Sequence, residues 1–369
     1  MCVLRACAYH CVFCVPPLVL LLTIVHADPP SNVAMRVKKM VSCGCVSGLV
    51  NILSLESCSA MTSELCMLAM CRLAVEVSCR GMMIQQGALS ACIEGAGVGA
   101  NEAYARHAIA KMLVTTNPMV LLPHQRLGCC GPLVALCKED KSTNLMQFES
   151  LLSLTNLAPC GIDCKRRIIG EGGLSAINFL MYSEHEMVKR AATECISNLL
   201  PAEKVLEYFA MEDKMKIWVA FMRDFEDDFE CARAAAGGIA RASYDPDVKK
   251  CLISIKEFPK GLMELVRTGN LELMHRVLVA VKNFVDVDSA CPEGREADEP
   301  RADMDIEELG KRIRESFEES GILDFCKVFA QKGNLLIDDG KGGGLGEGAR
   351  PFVAICKDIL LLCSDSKNV

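Results

Sequence analysis

Two close pairs of cysteines are the first residues whose spacing could support chemistry. Cys11 and Cys14 form a C-x-x-C with His10 beside it, and Cys43 and Cys45 flank one glycine. A structural zinc site needs four ligands, usually completed by a second pair, and neither pair has a convincing partner. The remaining cysteines are scattered through apolar stretches, and the total of 23 is odd. We therefore expect no metal site, and we expect the thiols to be reduced, buried and hydrophobic in character.

A glycine-rich segment near the C-terminus contains a pattern that is used for binding dinucleotides. It reads G-L-G-E-G-A from Gly344 to Ala349. That fingerprint needs a β-strand before it, whereas helical patterns flank it here, so a loop is the better interpretation. The sequence contains no Walker lysine motif, no H-E-x-x-H and no G-x-S-x-G. Because no nucleophile lies in a recognisable setting with histidine, the sequence predicts neither an enzyme nor a cofactor.

Polar residues that recur late in apolar helices indicate a different chemistry, the binding of a peptide. An asparagine amide both donates and accepts hydrogen bonds, so it can pair with the backbone of an extended chain, and arginine can bind carboxylates. The recurring positions, here called the marker residues, are spaced by about 42 residues: Arg72, Lys111, Asn156, Asn198, Arg241 and Asn283. Residues four and eight positions earlier share their helix faces: His107, Phe148, Leu152, Arg190, Glu194, Arg233, Gly237, His275 and Val279.

The sequence leaves two roles open for the marker residues. In one role their side chains bind a partner along a groove, with Phe148 adding an apolar contact. In the other role they bond to the backbone of a neighbouring repeat and only hold the stack together. Lys111 and Arg241 stand where asparagine is expected and cannot accept a hydrogen bond. At these two positions a groove would prefer acidic or carbonyl-rich ligands.

Each marker residue needs an amphipathic helix to position it, and the clearest one runs from Met187 to Leu200, where Pro201 blocks its continuation. Between markers, a glycine followed by apolar spacing recurs at Gly44, Gly87, Gly131 and Gly172. Self-similarity at this period is typical of armadillo or HEAT repeats. The sequence therefore predicts an all-α solenoid, a right-handed superhelix in which the last helix of each repeat lines a concave groove.

Composition changes along the chain suggest four segments. Residues 1–30 are apolar and either resemble a signal peptide or are a divergent start, and residues 31–287 hold the repeats. Residues 288–304 read as an acidic linker, and 305–369 as capping helices around a glycine-rich loop at 338–348. The cysteine usage favours the cytoplasm, with secretion as the alternative if 1–27 act as a signal peptide. The net charge of −7 argues against a nucleic-acid partner, and the first apolar run is too short and broken for a membrane span.

Three stretches in sequence order also carry a family resemblance. They are Q-F-E-S-L-L-S-L-T-N-L-A from Gln147, Y-S-E-H-E-M-V-K-R-A-A-T-E-C-I-S-N-L from Tyr182, and R-A-A-A-G-G-I-A from Arg233. Together with their surroundings, from about Val37 to Val287, they resemble the UCS family of myosin chaperones. The resemblance implies a non-enzymatic protein that binds the myosin motor domain in the groove and assists its folding.

The resemblance has one departure that bears on partners. Animal members of the family carry an N-terminal TPR domain that docks the ninety-kilodalton heat-shock chaperone, and we identify no such domain in this sequence. We therefore expect the heat-shock chaperone to be an indirect partner, if it is one at all. The alternative to a myosin chaperone is a generic armadillo-repeat adaptor or scaffold, which would bind a short epitope without suppressing aggregation.

Overall fold

The architecture is that of a computed structural model, which describes residues 30–97, 102–286, 306–337 and 350–365, together with Val19. Within these ranges the chain forms α-helices and short 3-10 turns, and they contain no β-strand. The predicted linker at 288–304 and glycine-rich loop at 338–348 lie outside the described residues. So does the predicted segment 1–30, apart from Val19 and Pro30.

The chain divides into two compact units, Met1–Cys195 and Ile196–Val369. The helices up to the boundary are α1 (Pro30–Ser42), α2 (Cys45–Leu53), α3 (Ala60–Leu73), α4 (Arg80–Gln85), α5 (Ala88–Gly95), α6 (Glu102–Val114), α7 (Pro123–Lys138), α8 (Asn144–Leu157), α9 (Ile162–Gly170), α10 (Gly173–Leu180) and α11 (Glu186–Leu199), which contains the boundary. The later helices are α12 (Glu203–Phe209), α13 (Glu212–Arg223), α14 (Phe229–Ala242), α15 (Pro246–Ser254), α16 (Glu257–Arg267), α17 (Leu271–Val285), α18 (Ile306–Glu319), α19 (Ile322–Ile337) and α20 (Arg350–Asp365).

Within each unit, one helix per repeat packs on its equivalent in the next repeat. In the first unit α6 packs between α3 and α8, and we call these three helices the first row. In the second unit α17 packs between α14 and α20, and these three form the second row. The marker residues of both units lie on row helices or on α11. The helix predicted from Met187 to Leu200 is α11, displaced by one residue.

Polar caps set where several row helices begin. The side chain of Ser59 accepts a hydrogen bond from the backbone N–H of Thr62 at the start of α3 (3.2 Å), and Thr143 does the same for Met146 at the start of α8 (3.3 Å). Asp228 caps α14 in the same way, through the N–H of Cys231. Each cap satisfies a backbone donor that the first turn of a helix leaves unpaired.

The recurring glycine separates the two short helices that precede a row helix. Gly44, Gly87 and Gly172 have φ values of 79°, 91° and 76° and stand between α1 and α2, α4 and α5, and α9 and α10. This left-handed conformation favours glycine. Gly131 is different, because it lies inside α7, where the two short helices have become one continuous helix. The recurring glycine therefore marks the break between two short helices in three repeats. In the fourth repeat the helix has no break.

The core of each unit is built from aliphatic, sulfur-containing and aromatic side chains. In the second unit the only tryptophan of the chain, Trp218, is fully buried and packs on Phe209 with ring centroids 4.6 Å apart. Its indole donates a hydrogen bond to the Tyr208 hydroxyl (3.3 Å). A Cβ atom at Gly238 would lie 2.4 Å from the Trp218 ring, so glycine allows the ring to lie against the α14 backbone. In the described part of the chain, no helix has the length and apolar character needed to cross a membrane.

Candidate partner-binding site

Two kinds of contact show that the first-row helices run parallel and in register. Near the middle of the helices, His107 Nε2 of α6 lies 2.7 Å from Glu149 Oε2 of α8. Near their ends, the Asn156 amide of α8 donates to the backbone carbonyls of Leu113 (3.3 Å) and Val114 (3.2 Å) at the end of α6. The middle of α8 contacts the middle of α6, and the end of α8 contacts the end of α6. Equivalent positions of neighbouring repeats therefore lie side by side.

Lys111 occupies the marker position of α6 and makes the equivalent contact. Its ammonium donates to the Cys71 carbonyl in the last turn of α3 (3.4 Å) and lies 3.6 Å from the Cys71 sulfur. The residue is only 8% exposed. The structure therefore corrects the expectation that Lys111 lines an open groove, because its charge is used inside the first row.

The second unit repeats this arrangement at its own marker residues. The Asn283 amide of α17 donates to the Ala240 carbonyl and to the Ser243 hydroxyl at the end of α14, both at 3.1 Å. Arg241 of α14 donates to the Ser197 carbonyl (3.1 Å) and to the Asn198 side-chain oxygen. Lys111, Asn156, Arg241 and Asn283 thus all donate to a carbonyl in the last turn of the preceding repeat's helix.

The chemistry of a helix end explains why these residue types are interchangeable. The last four carbonyls of an α-helix have no partner within the helix, and the helix dipole makes that end negative. Asparagine, lysine and arginine all supply an N–H donor, and the last two also supply a positive charge. The shared property of these four marker residues is therefore donation. Of the two roles left open by the sequence, these contacts belong to the stack-holding role.

The residues on the same helix faces form the exposed edge of helices that are otherwise buried. On α8, Phe148, Leu152 and Asn156 are half-buried while Leu151, Leu154 and Leu157 are fully buried. On α11, Arg190, Glu194 and Asn198 are the equivalent half-buried positions. On α17, His275 is exposed, and Val279 and Asn283 are half-buried. Side chains spaced by four residues thus form a narrow line of half-buried and exposed positions on each of these helices, here called the half-buried line.

α14 presents a different surface. Gly237 is buried, and a Cβ atom at this position would lie 2.2 Å from the guanidinium of Arg276 on α17. Arg233 pairs with Glu230 (2.8 Å) on its own helix and with Glu272 of α17 (3.0 Å). Glu272 also pairs with Arg276 at 2.7 Å. The line on α14 is therefore covered by an ion-pair network between α14 and α17.

These ion pairs change the ionisation of Glu272. The hydrogen bond from Arg276 and the proximity of Arg233 hold the pKa of the Glu272 carboxyl below its ordinary value, and desolvation opposes them. At neutral pH the carboxylate is thus stabilised in its charged form.

The contact partners of the predicted site residues are what the sequence analysis missed. Glu149 bonds to His107, Glu272 and Arg276 join Arg233, and Phe352 of α20 stacks on His275 with ring centroids 5.8 Å apart. One signal was available, since Glu149 follows His107 by one repeat period and Glu272 and Arg276 likewise follow Arg233. Phe352 carried no comparable sequence signal.

The cysteines in the described residues form no disulfide bonds, and most are buried. Cys66, Cys195 and Cys231 lie in the core, and burial raises the pKa of the Cys137 thiol to about 12. Cys43 is exposed and Cys45 is buried, and Cys11 and Cys14 lie outside the described residues. Within the ranges described, no group of three or more His, Cys, Asp or Glu side chains is arranged to hold a metal ion.

The helices and rows define the class of protein, an all-α, armadillo-like helical solenoid. No protein-family model matches the chain. Protein unc-45 homolog B of Danio rerio is 29% identical over 270 residues, and the Xenopus tropicalis protein is 30% identical over 278 residues. Each match covers 71% of this chain and 29% of the relative, so the chain spans less than a third of these proteins' length. The chain is homologous to the UNC-45 proteins, the UCS-domain family.

Solved structures share the fold of this chain. UNC-45 from Drosophila melanogaster matches with a TM-score of 0.70 at 24% identity, over 89% of this chain and 38% of that one. The myosin chaperone UNC-45 from C. elegans, in complex with an Hsp90 peptide, matches with a TM-score of 0.70 at 23% identity, over 90% and 33%. The same chaperone in complex with an Hsp70 peptide matches with a TM-score of 0.63 at 25% identity, over 78% and 33%.

Proposed function

We propose that this chain is a non-enzymatic chaperone that binds the myosin motor domain and assists its folding and assembly. The observation that carries the proposal is the half-buried line on the row helices and α11, in a chain homologous to the UNC-45 proteins. Phe148 offers apolar contact, Arg190 and Glu194 offer opposite charges, and His275 offers a flat polar ring. A mixture of this kind suits a large client surface better than one short sequence.

The predicted site residues have two different roles. Asn156, Arg241 and Asn283 hold neighbouring repeats together through helix-end carbonyls, and Lys111 does so from a buried position. The remaining half-buried and exposed residues on the same faces bind the client. Their neighbours fix the backbone beneath them, so a client meets a preorganised surface and less entropy is lost on binding.

The aggregation of heat-stressed myosin motor domain, followed by light scattering, tests this function. The wild-type chain should suppress the scattering signal. Glu194→Lys and Phe148→Ser should suppress it less, because each changes the half-buried line. Asn51→Lys, a charge added at an exposed position of α2, is the matched control and should act like the wild type.

The same assay distinguishes the alternative function. A generic armadillo adaptor would bind a short linear segment and leave the aggregation of the motor domain unchanged. Equal suppression by the wild type, the two line variants and the control would contradict the assigned surface, while leaving chaperone activity itself intact.

We infer a cytoplasmic location from the chemistry of the cysteines. Thiols that lie in core positions and form no disulfide, such as Cys66, Cys195 and Cys231, are typical of a reducing compartment. Secretion is the alternative if residues 1–27 act as a signal peptide. We further propose residues 31–287 as the armadillo region, 288–304 as a linker and 305–369 as the C-terminal cap.

We also propose that a heat-shock chaperone is at most an indirect partner of this chain. Binding a terminal carboxylate requires a clamp of basic side chains on paired helices. The basic residues of α1 are partly engaged, since Lys38 lies 3.6 Å from Glu76 and Arg36 donates to the Asn32 carbonyl. Nucleic acid and membrane are not proposed as partners.

A further inference from the structure

Four ionisable side chains meet across the first row. Cys71 lies in the last turn of α3, His107 and Lys111 lie one turn apart on α6, and Glu149 lies on α8. The Lys111 ammonium is 3.6 Å from the Cys71 sulfur, and His107 Nε2 is 2.7 Å from the Glu149 carboxylate. His107, one turn before Lys111 on α6, also acts on the Cys71 thiol. Direct contacts thus join Lys111 to Cys71 and His107 to Glu149.

This arrangement favours the thiolate form of Cys71. Desolvation by burial opposes ionisation and is the largest influence on the thiol. The proximity of His107 and the charge of Lys111 outweigh it, so the pKa of Cys71 is lowered. Burial lowers the pKa of His107, but its interactions with Cys71 and Glu149 outweigh burial and raise this pKa, which keeps the ring protonated to higher pH. A sulfur atom held between two cationic groups is the environment in which cysteine becomes nucleophilic.

Cys92 shows what the same core does to a thiol without cationic neighbours. It lies on α5, is fully buried, and its sulfur donates to the Met70 sulfur at 3.8 Å. Desolvation raises its pKa far above the ordinary value. Cys71 and Cys92 are both buried, so burial does not distinguish them. The difference is that Cys71 has cationic neighbours and Cys92 has none.

We propose that Cys71 is a modification site, a thiolate that small peroxides oxidise in preference to buried thiols of the first unit that lack cationic neighbours, such as Cys92. The thiolate sulfur attacks one oxygen of hydrogen peroxide, so an S–O bond forms as the O–O bond breaks. The departing hydroxide takes the proton of His107 and leaves as water. Sulfur loses two electrons and the peroxide gains them, and the product is the sulfenic acid of Cys71.

The surroundings fit a small oxidant better than a large one. Cys71 is 4% exposed, whereas the His107 and Glu149 side chains are 13% and 14% exposed. The polar end of the cluster therefore reaches solvent and the sulfur lies below it. Hydrogen peroxide is close to water in size, and the polar groups around the sulfur can hydrogen-bond to it.

The test is a timed exposure of the folded full chain to hydrogen peroxide. Catalase stops each reaction, the protein is denatured in dimedone, and mass spectrometry locates the adducts. Because each unit of pKa difference changes the thiolate fraction tenfold, Cys71 should gain the adduct at least ~10-fold faster than Cys92.

Variants separate the cluster from general accessibility. Lys111→Met and His107→Gln should slow oxidation of Cys71, and Lys111→Arg should largely restore it. Lys138→Met is the matched control, because Lys138 also donates to a helix-end carbonyl, that of Glu171, away from Cys71. Oxidation of Cys71 no faster than Cys92 in the wild type would overturn the proposal without any variant, as would equal slowing by Lys111→Met and Lys138→Met.

Discussion

At the scale of residues, the marker positions are defined by what they donate to. Lys111, Asn156, Arg241 and Asn283 differ in charge and shape, yet each reaches a carbonyl in the last turn of the preceding repeat's helix. A helix end buried in a stack needs such donors, because an unpaired buried carbonyl costs free energy. The repeat thus selects for a donor rather than for asparagine.

Removing one of these donors should lower stability. We predict that Asn156→Ala reduces the free energy of unfolding by about 1 kcal/mol, the usual contribution of such hydrogen bonds. Urea denaturation followed by circular dichroism measures it. Asn51→Ala on α2, where the side chain is exposed, is the control and should change stability by less than about 0.5 kcal/mol. Equal effects of the two substitutions would mean that the Asn156 contacts do not stabilise the stack.

The Glu272 network makes a pH-dependent contribution. Because its arginine partners lower the folded-state pKa of Glu272, the stabilisation is present above the unfolded pKa and is lost as the pH falls through the folded pKa. We predict that the urea midpoint declines on acidification below about pH 5, and that Glu272→Gln makes the decline shallower. Glu226→Gln, in the turn before α14, is the control. A decline of unchanged slope in Glu272→Gln would contradict the assignment.

At the scale of elements, periodicity predicted the row helices, and cap residues fixed their starts. The predicted helix from Met187 to Leu200 is found at Glu186–Leu199, since its apolar stripe and Pro201 are local signals. The stacking of Phe352 on His275 could not be predicted, because packing between repeats brings the two rings together and the residues are not one repeat period apart.

The recurring glycine gives a paired test of one sequence motif in two conformations. Gly87→Ala should lower the free energy of unfolding by about 1 kcal/mol, because φ is +91° there and a side chain strains that conformation. Gly131→Ala should change it by less, because Gly131 is inside α7, where the helix preference of alanine offsets the clash of its Cβ with Pro132. Urea denaturation of both variants measures the difference. A loss at Gly131 as large as the loss at Gly87 would contradict the distinction between the two glycines.

At the scale of the whole molecule, the sequence predicted the fold class and the family resemblance, and both are confirmed. The fold class followed from the period because stacked repeats are the arrangement that buries each helix face. The division into two compact units was not predicted, since the repeat pattern runs through the boundary inside α11. The client surface remains a prediction.

The heat-shock chaperone, proposed as at most an indirect partner, can be tested with the whole chain. Titration with the carboxyl-terminal peptide of the ninety-kilodalton heat-shock chaperone should release no heat of binding, because the basic side chains Lys38 and Arg36 of α1 are engaged within the chain. Isothermal titration calorimetry measures it, with the carboxamide form of the peptide as control. Micromolar binding that disappears with the carboxamide would contradict the proposal of an indirect partner.

Site-specific photocrosslinking tests whether the half-buried residues of α8, α11 and α17 bind the myosin motor domain. A photoreactive amino acid is placed at Phe148 on α8, Glu194 on α11 or His275 on α17, and the chain is irradiated with partly unfolded myosin motor domain. Met35 of α1 and Met82 of α4, which are 65% and 43% exposed, are the control positions. We predict crosslinks to the motor domain from the first three positions and few from the two controls. Equal crosslinking from Met35 and Met82, or none from the first three, would contradict it.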